Sequence, residues 1–274
     1  MRLRPLIGWA IFFFIIAIIA QAVPSVSGSY YFIKGKRLYS KGNYEGAAAA
    51  YEHSVGSDPD FARGYIELGL AYFHLKKLPQ SEEAFTKASK IHEDSCALCG
   101  LGMVYYEQKR EKEAEVALKK ALDLNPSDNC AINYLGRVYY KQEKYKEAIE
   151  IFRKELEIRP NPFSYHYLGN AYGYIDHFQE ARQVYKEALR LDPTYTDVYV
   201  DLAYACYRTD RFAEAAEIYR KAIKEDPDNV AAHVGLALAE LKQGNKEMAF
   251  AHYLIAQRLD PEAAKVLDRQ LSRR

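Results

Sequence analysis

The chain has 274 residues, 49% of them hydrophobic and 24 of them tyrosine, and no stretch is polar enough to stay disordered, so it is expected to fold nearly throughout. Thirty-eight Lys and Arg against 37 Asp and Glu leave a formal charge of +1, which removes the broad attraction to phosphate that nucleic-acid binders rely on. Nucleic acid is therefore not an expected partner, and four cysteines in a chain of this length do not make a stapling framework.

Residues 6–23 read LIGWAIFFFIIAIIAQAV, a run of 18 with Gln21 as the only strongly polar member, just long enough to cross a bilayer as a helix. Ala20-Gln21-Ala22 also satisfies the small-x-small rule for signal-peptide cleavage. Segment 1–23 thus reads as an anchor or a signal segment. Retention as a membrane anchor is preferred, because apolar residues continue through Ile18 and Ile19 with no polar stretch before the cut. Arg2 and Arg4 on one side are nearly balanced by Lys34, Lys36 and Arg37 on the other. The short basic tail favours a body outside the cytoplasm, periplasmic or exported; a cytoplasmic-facing body is the alternative.

Beyond this segment the chain is periodic. Small residues recur at Gly35, Gly69, Gly102, Gly136, Gly169, Ala203 and Ala237, always 33 or 34 residues apart. Twelve residues after each comes a second small one: Ala47, Ser81, Ala114, Ala148, Ala181, Ala215 and Ala249. Four further on comes a bulky one: Tyr51, Phe85, Leu118, Phe152, Tyr185, Tyr219 and Tyr253. Prolines close the units at Pro59, Pro126, Pro160, Pro193, Pro227 and Pro261, with Glu93 in the unit that lacks one; a proline has no N–H and disfavours helix in the residue before it. Apolar residues between the breakers fall at helical spacing, as in Ala148, Ile149, Phe152 and Leu156. Each unit is predicted to be a pair of short antiparallel helices. The small positions allow the two axes to approach, and neighbouring pairs bury the surface that one pair leaves open.

Small residues, aromatics and proline at these offsets resemble the tetratricopeptide repeat. The resemblance implies an all-α fold, a right-handed α-solenoid of seven helical hairpins over residues 28–263, with units at 28–61, 62–94, 95–128, 129–161, 162–195, 196–229 and 230–263. A C-terminal capping helix is expected over 264–274, where Val266, Leu267 and Leu271 alternate with Lys265, Asp268, Arg269 and Arg273. Lys34 in the first unit and Glu240 in the last stand where the pattern has large apolar residues, as expected of end units that face water.

In tetratricopeptide arrays the first helix of each unit lines a concave groove. Carried onto this chain, the commonest groove offset holds Tyr39, Phe73, Tyr106, Tyr140, Gly173, Tyr207 and Leu241, an aromatic floor. Asn133, Arg137 and Lys141 form a polar stripe suited to a carboxylate, and Asn170, Tyr204 and Arg208 add donors and a ring. Such a floor suits an extended peptide or a helix, because Tyr gives large contact area at low entropic cost. Tyr72, Tyr105, Tyr139 and Tyr172 fall at offsets that face the neighbouring helix and are expected to be structural. The ordered Lys and Asn set with which family members clamp chaperone C-termini is not reproduced.

Cys96 and Cys99 form a CxxC, but Gly100 stands where haem attachment needs His. Cys130 shares the offset of Cys96 in the next unit and His92 ends the preceding helix, so a thiol or metal site at Cys96, Cys99 and Cys130 is an alternative to small packing residues. No P-loop, dinucleotide fingerprint, HExxH or GxSxG is present. The expected function is a non-enzymatic protein-interaction scaffold at a membrane, binding segments of partner proteins to assemble an envelope complex, with no catalytic residue, metal, cofactor or small-molecule substrate. A receptor for a glycan or lipid, using the rings as stacking platforms, is the other alternative.

Overall fold

A computed structural model of the chain describes residues 28–271; the predicted anchor or signal segment 1–23 lies outside the described residues. In chain order the helices are α1 (28–39), α2 (Tyr44–Ser57), α3 (Ala62–His74), α4 (Leu78–Ile91), α5 (Ser95–Glu107), α6 (Glu111–Leu124), α7 (Asn129–Lys141), α8 (Tyr145–Ile158), α9 (Pro162–Tyr174), α10 (Phe178–Leu191), α11 (Thr196–Arg208), α12 (Phe212–Glu225), α13 (Val230–Lys242), α14 (Lys246–Leu259) and α15 (Pro261–Leu271). Among the described residues there is no strand. The fold is all-α and of the α-solenoid class.

Helix contacts divide the described residues into two compact units, one up to Tyr134 and one from Leu135. In the first, α2 packs on α3, α3 on α4, α4 on α5 and α5 on α6, while α3 and α5 also touch directly. In the second, each helix from α8 to α14 packs on its successor, with further contacts between α9 and α11, α11 and α13, and α13 and α15. The odd-numbered helices thus form a layer of their own within each unit, which is what places side chains from successive hairpins on one face.

Each odd helix from α1 to α13 ends in the same hydrogen-bonded turn. In the second hairpin, Lys76 N–H donates to the Phe73 carbonyl (3.0 Å) and Lys77 N–H to the Tyr72 carbonyl (2.9 Å), the paired bonds of a Schellman cap. The residue in the left-handed region is glycine only at Gly42 (φ 75°) and Gly244 (φ 84°); elsewhere it is Lys76, Lys109, Glu143, Asp176 or Asp210, at φ 58–60°. One residue on, the side chain returns to the ring that ends the helix. Lys77 lies over Tyr72 at 5.9 Å, Arg110 over Tyr105 at 4.2 Å and Lys144 over Tyr139 at 5.5 Å. These tyrosines therefore serve the hairpin turns. Several odd helices are capped by Asx residues: Asp94 accepts from Cys96 N–H (2.7 Å), Asn161 from Ser164 N–H (2.8 Å) and Asn229 from Ala232 N–H (2.9 Å).

The small residues of the odd helices lie under the bulky residues of the even ones. A Cβ on Gly69 would fall 2.9 Å from the Phe85 ring, and one on Gly136 2.7 Å from the Phe152 ring, closer than packing tolerates. Phe85, Leu118 and Phe152 are fully buried.

Two expectations about the chain's end are corrected. Glu240 does not face water: it is 1% exposed, ion-paired with Arg220 of the preceding hairpin and hydrogen-bonded by Asn245 Nδ2 at 2.6 Å. Partners from two hairpins make burial of the carboxylate tolerable. The last helix starts at Pro261, ahead of residue 264, because Asp260 Oδ1 accepts from the N–H groups of Glu262 (2.9 Å) and Ala263 (3.1 Å) and proline suits a first helical position. Its Leu267 is buried with Ala237 and Ala249.

Candidate partner-binding site

At the groove offset of the odd helices, Gly173 is the one residue without a side chain, and a Cβ built on it meets nothing within 4 Å. The missing ring leaves a cavity of about 340 Å³ in the second unit, lined by Tyr140 of α7, Asn170, Gly173 and Tyr174 of α9, Phe178 and Tyr185 of α10, and Asp201, Tyr204 and Arg208 of α11. That volume falls at the small end of ligand-sized clefts, which run from about 300 Å³ upward.

Tyr140 is the hub of the cavity's aromatic wall. Its ring meets Tyr145, Tyr167 and Tyr174 edge-on at 5.7, 5.6 and 5.6 Å, and Tyr145 and Tyr174 stack on each other at 4.6 Å. Burial, reinforced by a hydrogen bond with Tyr174, holds the Tyr140 phenol protonated far above the usual tyrosine range. Tyr185 is fixed by donating its O–H to Asn170 Oδ1 at 2.5 Å, and burial raises its phenol in the same direction. Tyr174 and Tyr204 remain 62% and 47% exposed, so these two rings are within reach of a partner.

The polar groups are pre-positioned. Asp201 Oδ2 lies 2.7 Å from His166 Nε2, and His166 Nδ1 lies 2.8 Å from Tyr195 Oη. A carboxylate only accepts, so Nε2 carries a proton toward Asp201. Arg208 is held three ways: it donates to Tyr204 Oη (2.9 Å) and to Asp176 Oδ1 (3.1 Å), and its guanidinium lies 4.0 Å from the centroid of the Phe178 ring.

The line Tyr195–His166–Asp201 has the outline of a nucleophile, a base and an orienting carboxylate. Burial, with nearby carboxylates, raises the Tyr195 phenol above its ordinary value, the opposite of what activates a nucleophile. The array holds Asp201 in place beside the cavity.

Of the residues expected on the groove, Tyr140, Asn170, Tyr204 and Arg208 come together around this cavity. Tyr207 instead packs edge-on against Phe212 at 5.4 Å. Arg137 lies 5.9 Å from the Tyr167 ring, and Lys141 is exposed at the end of α7. In the first unit, Tyr39 meets Tyr44 and His74 edge-on at 5.2 and 5.5 Å, and Tyr106 meets Tyr134 at 5.7 Å. Asn133, also in that unit, is half-buried on α7. Phe73 is 8% exposed within a core cluster, so its surface goes to packing rather than to a partner. Asp201, Phe178 and Tyr185 line the cavity without having been expected there; the available signal was that Asp201 stands one turn before Tyr204 on the same helix.

All four cysteines are free. The Cys99 thiol is driven far up by a hydrogen bond with Cys130 and by burial, and burial lifts Cys96 to about 11. Neither favours the thiolate that redox or metal chemistry needs, and among the described residues no group of His, Cys, Asp and Glu is placed to hold a metal.

Tetratricopeptide repeat family models match the chain over residues 35–76, 95–128, 128–194, 168–230 and 211–264, most of its described length. The chain belongs to the tetratricopeptide repeat family. Such proteins bind other proteins, and the fold is typically non-catalytic. A human relative, cilia- and flagella-associated protein 70, is 29% identical over 96 residues, 34% of this chain, and the match spans only 9% of that protein. The solved structure of YrrB, a TPR protein with an unusual peptide-binding site, aligns with a TM-score of 0.63 at 22% identity, covering 69% of this chain and 99% of YrrB. PilF of Pseudomonas aeruginosa aligns with a TM-score of 0.66 at 20% identity, covering 76% of this chain and 97% of PilF. At these identities the tetratricopeptide fold is what the structures share.

Proposed function

We propose that this tetratricopeptide chain is an interaction scaffold that takes a peptide or helical segment of a partner protein into the cavity beside Gly173, and that residues 6–23 tether it to a membrane where it organises an envelope complex. The observation that carries the reading is the missing ring at Gly173. Where Tyr39, Tyr106, Tyr140 and Tyr207 place rings at the same offset, this position has open space, beside two exposed tyrosines and a pre-positioned carboxylate. YrrB, with its peptide-binding site, makes a peptide the natural kind of occupant. The tether rests on the apolar run itself, since among the described residues no helix is long and apolar enough to cross a membrane. The short basic tail before that run favours an extracytoplasmic body.

Gly173→Phe in the full-length chain tests the reading, because it fills the cavity from a helical position that gains from losing glycine. Proteins captured from solubilised membranes by the wild-type chain should be lost with the variant while its thermal midpoint holds or rises. Unchanged capture would show that the cavity is not where partners enter. Extraction of membranes with alkaline carbonate tests the tether separately: release of the intact chain would exclude it.

A further inference from the structure

The inference rests on the cavity beside Gly173 being a partner's point of entry and names what enters. We propose that the occupant is a positively charged side chain, Lys or Arg, projecting from the partner's bound segment.

The lining discriminates among three kinds of group. An apolar side chain would cover Asp201 and leave its carboxylate with His166 at Oδ2 as its one partner; burying an ion in that way is costly. An anionic side chain would face Asp201 directly. It would also have to draw Arg208 from Asp176 and from the Phe178 ring. A cation meets none of these penalties. Asp201 offers Oδ1 to its donors, and the rings of Tyr140, Tyr174 and Tyr204 bound the same space, an arrangement in which aromatic quadrupoles add to the attraction of a carboxylate.

Charge around the cavity points the same way. Arg208 has a carboxylate of its own in Asp176 at 3.1 Å, whereas Asp201 faces only the His166 imidazole, so Asp201 is the carboxylate open to an incoming group. Arg208 also shows that the wall suits cations, for it packs on one of the cavity's own rings. The site is thus one carboxylate and several tyrosines, open at two of them, with its resident guanidinium turned to an internal partner.

The experiment pans a random dodecapeptide library against the purified full-length chain in detergent, with Gly173→Phe as counter-selection, and measures the best clone as a synthetic peptide. The expected result is a shared Lys or Arg whose change to norleucine, or to Glu, weakens binding by about tenfold or more, the scale of a charge-assisted contact. Asp201→Asn should abolish that preference while leaving the fold intact, because the amide oxygen still accepts from His166. Binders that Gly173→Phe excludes but that tolerate norleucine, or that keep their preference with Asp201→Asn, would overturn the cationic occupant and leave the entry site standing. An absence of any binder sensitive to Gly173→Phe would overturn both.

Discussion

The guanidinium of Arg208 lies 4.0 Å from the centroid of the Phe178 ring, joining the end of one odd helix to the start of the even helix before it. The same register holds Tyr174 stacked on Tyr145 at 4.6 Å and His74 stacked on Tyr44 at 4.5 Å. One pair of positions is thus filled by three chemistries of flat groups, which fasten consecutive hairpins within each unit. Arg208→Ala should lower stability by about 1 kcal/mol, most of it from the lost contact with the ring. Asp176→Asn should cost only a few tenths, since an exposed ion pair contributes little. Urea midpoints of the two variants measure the difference.

The turns between paired helices make a second prediction. Gly244 adopts φ 84°, where an L side chain meets its own carbonyl, so Gly244→Ala should destabilise by roughly 1–2 kcal/mol. Lys109, at φ 60° in the equivalent turn, already bears that strain. Lys109→Gly should therefore be neutral or stabilising by less than about 1 kcal/mol, the relief being partly offset by glycine's greater entropy loss. A loss at Gly244 and none at Lys109, read from denaturant midpoints, is the expected outcome.

What was legible in the sequence was whatever repeats. Gly69 against Phe85 and Gly136 against Phe152 are one steric requirement met many times, so their spacing revealed both the all-α class and the family. The turns were less legible, because a Schellman cap is usually announced by glycine and here five of seven are built on Lys, Glu or Asp. Glu240 escaped pattern reading for another reason. Its burial depends on Arg220, twenty residues away in the preceding hairpin, and no periodicity reports a single pair. The cavity lies between these cases. Gly173 was visible as a gap in a series of rings, but that the gap is a space rather than a collapsed contact depends on how Tyr140 and Tyr185 are held by their neighbours.

Gly173 itself offers a stability test independent of any partner. It stands in the last turn of α9 with open space where a Cβ would stand, so Gly173→Ala should raise stability by about 0.5–1 kcal/mol through reduced freedom of the unfolded chain. Thermal unfolding of the single variant is sufficient, and a loss of stability would show that the helix needs glycine there for another reason.

Arg220 is the chief partner of a carboxylate that is almost fully buried. Arg220→Met would leave Glu240 with Asn245 and no cation. The expected cost is about 1–3 kcal/mol, below that of breaking a wholly buried pair because Arg220 is half exposed. Pairing it with Glu240→Gln should recover part of the loss, since an amide is less costly to bury than an unpaired carboxylate. A double-mutant cycle on denaturant midpoints reads the coupling directly.

His252 gives the chain a predictable response to mild acid. Burial first, and then His233 with its Nδ1 3.0 Å from that of His252, hold the His252 imidazole below its ordinary value of 6.5. Arg220 acts in the same direction and Glu240 against it. A histidine whose folded pKa is depressed takes up its proton more readily when unfolded, so folding is fully favoured above about pH 6.5 and weakens as pH falls below that value toward the folded pKa. Carboxylates whose pKa is lowered by partners, Glu113 by Arg110 and Asp192 by Thr194, add their own loss only below their ordinary range near pH 4. The window between about pH 6.5 and 5 therefore separates the His252 contribution from that of the carboxylates. His252→Gln should flatten the fall in thermal midpoint across that window while leaving the steeper loss below pH 4.5 in place. An unchanged slope between pH 6.5 and 5 would show that the pair formed by His233 and His252 does not govern the response.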